Sequence, residues 1–125
     1  MSKCLSISIV TPSFNQASFI HEALESVSIQ NYPNYEHLVI DGMSTDGTVE
    51  LLQNFQAANA SSGITWISER DSGQSEALNK GFRQATGDII GWLNADDRYR
   101  IGCFDRVAKT SPIDTLYEHK HSPLP

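Results

Sequence analysis

Cysteine is scarce in this sequence, whose 125 residues include only two, Cys4 and Cys103. They lie far apart and fit none of the short Cys or Cys/His spacings that bind zinc or carry redox chemistry. We therefore expect two reduced thiols. Because free thiols persist in reducing compartments, we also expect a cytoplasmic protein.

Positive charge is also scarce, with nine Lys and Arg against fifteen Asp and Glu, for a net charge of -6. Binding to nucleic acid depends on neutralising phosphates with cations, so this balance argues against nucleic acid as the main partner. No apolar run approaches the roughly 20 residues that a membrane-spanning helix needs. We expect no transmembrane segment and, at most, peripheral association with a membrane.

Glycine-rich phosphate-binding motifs are missing. No G-x-G-x-x-G sequence follows Thr11, and the chain contains no Walker A sequence. A dinucleotide-binding Rossmann domain and a P-loop nucleotidase are therefore disfavoured. Any phosphate would have to be bound by a metal ion and by groups in other loops.

The chain does contain a regular alternation of strand and helix patterns. The strands are predicted at Leu5–Thr11, Glu36–Ile40, Ile64–Ser68 and Ile89–Leu93. The helices are predicted at 18–29, 46–59, 72–85 and 101–109, the first with Ser18 as its N-cap. Such alternation predicts an α/β fold with three layers, in which helices cover both faces of a mostly parallel sheet.

The most informative stretch is Asp88–Asp97, which reads D-I-I-G-W-L-N-A-D-D. Its apolar run is typical of a central strand covered on both faces, and it ends in Asp96 and Asp97. Two carboxylates about 5 Å apart repel by about 3 kcal/mol at an effective dielectric constant near 20. A divalent cation such as Mg²⁺ or Mn²⁺ would offset that repulsion at the sheet edge where α/β proteins bind ligands.

Each acidic residue also has a purely structural interpretation. Asp41 before Gly42 fits an Asx turn, Asp46 fits a helix N-cap, and Asp71 with Gln74 fits a capping box. Asp96 or Asp97 could cap the short helix that follows. A receiver-like signalling domain also carries acidic residues at its strand ends, but the loop sequences described next do not suit it.

Four motifs, in order, resemble those of family 2 glycosyltransferases with the GT-A fold. They read S-I-V-T-P-S-F-N-Q, V-I-D-G-M-S-T-D-G-T, S-E-R-D-S-G-Q-S-E-A-L-N-K-G and G-W-L-N-A-D-D. The resemblance covers residues 5–110 and implies the nucleotide-sugar-binding part of such a domain, a Rossmann-like GT-A half-domain that is truncated. Residues 111–125 are expected to form an irregular tail.

The resemblance also implies roles for individual residues. Those expected to bind the nucleotide are Thr11, Pro12, Asp41, Asp71, Asn79, Asn94 and Asp96. Asp96 and Asp97 are expected to bind Mn²⁺ or Mg²⁺. Asn94 departs from the family pattern, since it stands where the first Asp of the common D-x-D motif would be.

The implied function is sugar transfer from a nucleoside-diphosphate sugar, with UDP as the expected nucleotide, to a glycan or lipid-linked acceptor in polysaccharide biosynthesis. In the family, the acceptor-binding half and the general base follow the D-x-D region. We expect them beyond Pro125, so no catalytic residue is assigned here. The alternative is a non-catalytic module that binds nucleotide and metal. An open half-sheet is also expected to self-associate.

Overall fold

A computed structural model describes residues 5–59, 63–109 and 117–119. Its strands are β1 (Ile7–Ser13), β2 (Tyr35–Asp41), β3 (Ile64–Ser68), β4 (Ile89–Trp92), β5 (Asp97–Tyr99) and β6 (Tyr117–His119). Its helices are α1 (Ile20–Ser28), α2 (Thr48–Ala58), α3 (Gln74–Gln84) and α4 (Cys103–Lys109). The predicted alternation of strand and helix is confirmed, with most boundaries within about two residues.

The main sheet has four parallel strands in the order β3-β2-β1-β4. Ile7 of β1 lies opposite Tyr35 on one side and Ile89 on the other. In a parallel sheet of this kind, all carboxyl strand ends meet at one edge, which brings the four motif loops together. β5 and β6 form a separate antiparallel pair in which Asp97 lies opposite His119.

Helices cover both faces of the sheet, as predicted. On one face α1 and α2 pack against β2 and β3, through Ile20, Leu24, Val39 and Ile64 among others. On the other face Ala77 of α3 packs with Val10, Leu38 and Ile40. All seven residues of β1 are buried, because this strand lies inside the sheet and under helices on both faces.

The position of β4 corrects one prediction. β4 is an edge strand of the described sheet, and Ile90 and Trp92 are 48% and 46% exposed. The expectation of a central strand covered on both faces is therefore wrong for the described residues. An apolar run in the sequence does not show whether a neighbouring strand and a helix cover it, so the exposure of β4 could not be predicted.

The start of α1 corrects a second prediction. Phe19, not Ser18, is the N-cap residue, and no side chain caps the helix. The backbone N–H groups of Phe19 and Ile20 donate instead to the carbonyl oxygen of Gln16. The turn preceding the helix thus takes over the capping that a serine hydroxyl was expected to supply.

Residues 110–116 and 120–125 of the predicted tail lie outside the described residues, as does Cys4. Within the tail, Tyr117–His119 forms the short strand β6. Cys103 is buried. None of the described helices has both the length and the apolar character needed to cross a membrane.

Candidate functional site

A cleft of about 580 Å³ lies at the carboxyl edge of the main sheet. The loops after all four parallel strands contribute to it, as the motif positions predicted. Its lining consists of Pro12, Ser13, Phe14, Gln16, Gly42, Asp71, Ser72, Gly73, Gln74, Ala77, Asn94, Ala95 and Asp96. Four residues predicted to bind nucleotide therefore line one cavity, namely Pro12, Asp71, Asn94 and Asp96.

Asp41 lies behind the cleft wall, where it is fully buried. Its carboxylate accepts hydrogen bonds from the Ser44 N–H at 2.9 Å, the Ser44 hydroxyl at 2.6 Å and the Ser68 hydroxyl at 2.8 Å. The bond from the Ser44 N–H spans three residues, whereas an Asx turn joins the side chain to the N–H two residues on, so the predicted Asx turn at Asp41 is not formed. Through these hydrogen bonds Asp41 ties the loop after β2 to the end of β3, and its neighbour Gly42 faces the cleft instead.

Thr11 is also fully buried and does not line the cleft. Its Oγ1 lies 2.7 Å from Nε2 of His37, with which it forms a hydrogen bond. Complete burial lowers the pKa of His37 to about 3, so the ring is neutral near pH 7. This pair joins β1 to β2 directly beneath Pro12 and Ser13, which do line the cleft.

Asp71 is held at the cleft by the start of α3. Its Oδ1 accepts a hydrogen bond from the Gly73 N–H at 3.1 Å. A Cβ atom on Gly42 would lie only 3.1 Å from the same oxygen, so a residue without a side chain suits that position. The expected capping box of Asp71 with Gln74 is not formed, because Glu76 accepts the Ser72 N–H at 2.8 Å and Gln74 turns elsewhere.

The side chain of Asn94 forms a hydrogen-bonded bridge that the sequence did not predict. Its Oδ1 accepts hydrogen bonds from Nε1 of Trp92 at 2.8 Å and from Nε2 of Gln74 at 3.0 Å. Trp92, which belongs to the strand expected to be covered on both faces, is instead half-exposed beside the cleft. Trp92 ends β4 and Asn94 lies in the loop that follows, so no strand alternation in the sequence indicates their hydrogen bond.

The two adjacent carboxylates are placed differently. Asp96 is half-buried and lines the cleft, whereas Asp97 is 2% exposed, begins β5 and does not line it. The Asp97 N–H donates to the carbonyl oxygen of Asn94 at 3.0 Å and closes the turn between them. Asn79 is exposed on α3, outside the cleft lining.

Asp46 serves the start of α2. Its carboxylate accepts hydrogen bonds from the Thr48 hydroxyl and N–H, and from the Ala17 N–H at 3.0 Å. The bond from the Thr48 hydroxyl is the main cause that lowers the Asp46 pKa. The N-cap residue is Gly47, so the prediction of Asp46 as the N-cap is wrong, although the Asp46 carboxylate accepts the N–H of Thr48, the first residue of α2.

The charge of the cleft bears on metal binding. Its lining includes two carboxylates, Asp71 and Asp96, and neither Lys nor Arg. Within residues 5–59, 63–109 and 117–119, no group of three or more His, Cys, Asp or Glu could hold a metal ion alone. Mg²⁺ is commonly bound by one or two carboxylates together with substrate phosphates and water. The donor set of this cleft fits a divalent ion that takes its other oxygens from a bound diphosphate.

Comparison with curated proteins gives several relatives. Glycosyltransferase AglE of Haloferax volcanii is 36% identical over 92 residues, covering 72% of this chain and 30% of AglE. Glycosyltransferase TuaG of Bacillus subtilis, named for teichuronic acid biosynthesis, is 32% identical over 94 residues, covering 75% of this chain and 37% of TuaG. The chain thus spans about a third of the length of these relatives.

Solved structures share the fold. The mannosyltransferase PcManGT from Pyrobaculum calidifontis, in complex with GDP-Man and Mn²⁺, has a TM-score of 0.76 and 29% identity. That likeness covers 86% of this chain and 31% of PcManGT. Residues 1–349 of S. aureus TarS, in complex with UDP-GlcNAc, also have a TM-score of 0.76, at 22% identity, covering 84% of this chain and 30% of that one.

A family model extends the agreement to nearly the whole chain. The model described as glycosyl transferase family 2 matches residues 8–111, from β1 to just past α4. The match includes all four motifs and every residue that lines the cleft. This chain belongs to glycosyl transferase family 2.

Proposed function

We propose that this chain is the donor-binding part of a glycosyltransferase. The donor is a nucleoside-diphosphate sugar, with UDP as the nucleotide, and the acceptor is a glycan or a lipid-linked glycan of polysaccharide biosynthesis. The observation that carries this proposal is the cleft of about 580 Å³ formed by the loops after four parallel strands. Open α/β sheets bind ligands at this edge, and the volume lies within the usual range for small-molecule sites.

The positions of the predicted residues suggest two kinds of role. Pro12, Asp71, Asn94 and Asp96 line the cleft and would contact the donor directly. Thr11 and Asp41 are fully buried and would act by holding the loops after β1 and β2 in place.

Two predicted residues lie outside the cleft lining. Asn79 is exposed on α3 and would reach the donor only through a group that extends from the cleft. Asp97 would position the turn that carries Asp96, through its backbone bond to Asn94.

Mn²⁺ or Mg²⁺ is proposed as the cofactor, with Asp96 as its ligand in the cleft. When bound, such an ion supplies positive charge that offsets the charge of the departing diphosphate. The Mn²⁺ in the complex of PcManGT supports this assignment. The acidic lining supports it too, because Asp71 and Asp96 would otherwise repel a diphosphate.

A cytoplasmic setting is proposed from the scarcity of cysteine in the sequence, which suits a reducing compartment. Self-association is proposed from the edge of the sheet. Among the described residues β4 pairs with β1 alone, and its exposed face carries Ile90 and Trp92. An unpaired edge strand with apolar side chains favours contact with another chain.

Calorimetry with UDP tests the donor proposal, with and without Mn²⁺. We expect binding that depends on the metal and that falls at least tenfold in Asp96→Ala, because a charged ligand to the ion is lost. The matched control is Asp105→Ala, which removes an exposed carboxylate on α4 outside the cleft. GDP and TDP, titrated in parallel, test the choice of base. Lack of binding to all three nucleotides with Mn²⁺ would contradict the proposal.

A further inference from the structure

Asn94 is held by two donors that come from different elements. Nε1 of Trp92, at the end of β4, lies 2.8 Å from Oδ1 of Asn94. Nε2 of Gln74, the first residue of α3, lies 3.0 Å from the same oxygen. One atom, Oδ1 of Asn94, therefore joins the end of β4 to the start of α3. Asn94 itself lies in the loop that carries Asp96.

The indole ring determines which way the Asn94 amide points. An indole N–H can only donate, so the atom that it contacts must be the amide oxygen and not the nitrogen. The oxygen and nitrogen of an Asn side chain are otherwise hard to distinguish, and here the hydrogen-bond network distinguishes them. With Oδ1 turned toward Trp92 and Gln74, Nδ2 faces away from both and has no hydrogen-bond partner among the described residues.

We propose that Trp92 and Gln74 are positioning residues that orient the Asn94 amide so that its Nδ2 donates to an oxygen of the ligand. This inference rests on the proposed function, since the ligand is the nucleoside diphosphate bound in the cleft. The shared chemistry is an acceptor oxygen, which either the diphosphate or the ribose can supply. Nδ2 of Asn94 thus recognises a hydrogen-bond acceptor oxygen on the nucleoside diphosphate.

The charge of the cleft makes a donor at this position useful. The charged side chains of the lining are the carboxylates of Asp71 and Asp96, which can only accept hydrogen bonds when ionised. An Asp at position 94 could still accept from Trp92 and Gln74, but it would offer the ligand a third carboxylate. An Asn keeps both of those bonds and turns a neutral donor toward an electron-rich ligand atom.

The test compares two tryptophan variants with the same chemical change. Trp92→Phe keeps a ring and removes the N–H that orients Asn94. Trp66→Phe is the matched control, because Nε1 of Trp66 donates to Gln56 at 3.2 Å and Trp66 does not line the cleft. With Mn²⁺ present, we expect Trp92→Phe to weaken UDP binding about fivefold, the size of one lost hydrogen bond, and Trp66→Phe to leave it unchanged.

Two further variants, at Gln74 and at Asn94 itself, test the same side-chain amide. Gln74→Ala removes the other donor to Oδ1, and we expect it to weaken UDP binding in the same direction as Trp92→Phe. Asn94→Asp, which keeps the acceptor and removes the donor, should weaken binding more than either variant at a metal concentration that saturates the protein. Thermal unfolding of each variant shows whether a loss of affinity reflects a loss of folded protein.

Nuclear magnetic resonance gives a measurement that would not change if Trp92 only stabilised the fold. The side-chain amide resonance of Asn94, identified by its absence in Asn94→Asp, should shift when UDP binds, and should shift less in Trp92→Phe. Titration with uridine separates the two acceptor sources. A shift with uridine as well as UDP assigns the acceptor to the ribose, and a shift with UDP alone assigns it to the diphosphate. Either result supports the proposal.

Two failures can be told apart. If the unaltered chain binds UDP, but Trp92→Phe binds as well as Trp66→Phe and the Asn94 amide resonance does not move, the positioning role is wrong and the proposed function stands. If the unaltered chain binds no nucleoside diphosphate with Mn²⁺, the proposed function and this inference both fall.

Discussion

At the scale of single residues, buried polar groups behind the cleft set its shape. Neither Asp41 nor Thr11 lines the cavity. Asp41 ties the loop after β2 to the end of β3 through Ser44 and Ser68, and Thr11 ties β1 to β2 through His37. A buried polar group that loses its partner costs about 1 to 3 kcal/mol, so these contacts matter for stability as well as for the site. Substitutions here should reveal whether a residue supports the wall or contacts the ligand.

Asp41→Asn should lower the free energy of unfolding by about 1 to 3 kcal/mol, because an amide nitrogen cannot accept the hydrogen bonds that one carboxylate oxygen now accepts. Urea denaturation measures the change. The matched control is Asp105→Asn, which alters an exposed carboxylate on α4 and should stay within about 0.5 kcal/mol. Unchanged stability with lost UDP binding would instead favour direct contact between Asp41 and the base.

His37 should make stability depend on pH below neutrality. Its pKa is about 3 in the folded protein and about 6.5 when unfolded. Between these values the unfolded chain binds the extra proton, so this stability is complete above about pH 6.5 and is lost as the pH falls toward 3. The free energy of unfolding should therefore fall by up to about 1 kcal/mol per pH unit from this group as the pH drops below 6.5.

The dependence can be isolated with two histidine variants. His37→Gln removes the titrating ring, so its stability should fall less steeply than that of the unaltered chain between pH 6.5 and 5. His21→Gln removes a histidine whose side chain is 61% exposed on α1, and it controls for the loss of a histidine as such. Equal slopes for His37→Gln and the unaltered chain, from urea denaturation at each pH, would contradict this account.

At the scale of elements, the close approach of α3 to the sheet places the first turn of that helix at the cleft. Gly81 lies within α3, where a glycine costs about 1 kcal/mol relative to alanine, and the helix pattern alone gives no reason for it. The structure explains it, because a Cβ atom on Gly81 would lie 2.3 Å from a methyl carbon of Val10 in β1. The lost helix propensity is offset by packing that larger residues would prevent.

Gly81→Ala should therefore destabilise the protein by about 1 to 3 kcal/mol, although alanine is the better helix former. It should also weaken UDP binding, since a shifted α3 would move Gln74 and Asp71. The control is Gln84→Ala, at an exposed position of the same helix, with an expected change within about 0.5 kcal/mol. A more stable Gly81→Ala variant in urea denaturation would show that α3 can move away without cost.

At the scale of the whole molecule, the described sheet has one face of its edge strand exposed. β4 presents Ile90 and Trp92 to solvent at the edge of the sheet. The same strand leads directly into Asn94 and Asp96, so contacts made along its edge lie close to the cleft. Self-association and donor binding could therefore influence each other.

Analytical ultracentrifugation tests the self-association. We expect association that increases with protein concentration and that Ile90→Lys reduces, because a charge on an edge strand opposes pairing between chains. Ile101→Lys is the control, at an isoleucine that is 78% exposed and outside the strands. A chain that stays monomeric at all concentrations would contradict the prediction.

Much of the fold was predictable from local patterns. The four parallel strands and the helices between them follow from apolar periodicity and turn residues, which act over a few neighbouring positions. Within the site, Pro12, Asp71, Asn94 and Asp96 were expected to bind nucleotide because each lies in a motif that resembles those of family 2 glycosyltransferases. Three features were not predicted: the exposed β4 face, the cap at Phe19 and the burial of Thr11. Each depends on contacts with residues that are distant in the sequence.

The sequence by itself determined the family, the order of the elements and the edge of the sheet where the motif loops meet, because strand order and crossover handedness follow general rules. Only the tertiary structure decided which side chains face the cleft and which stand behind it. It also decided the orientation of the Asn94 amide, through one donor two residues away and another twenty residues away. Burial and hydrogen bonding between distant segments arise only when those segments pack together, and no local pattern records them.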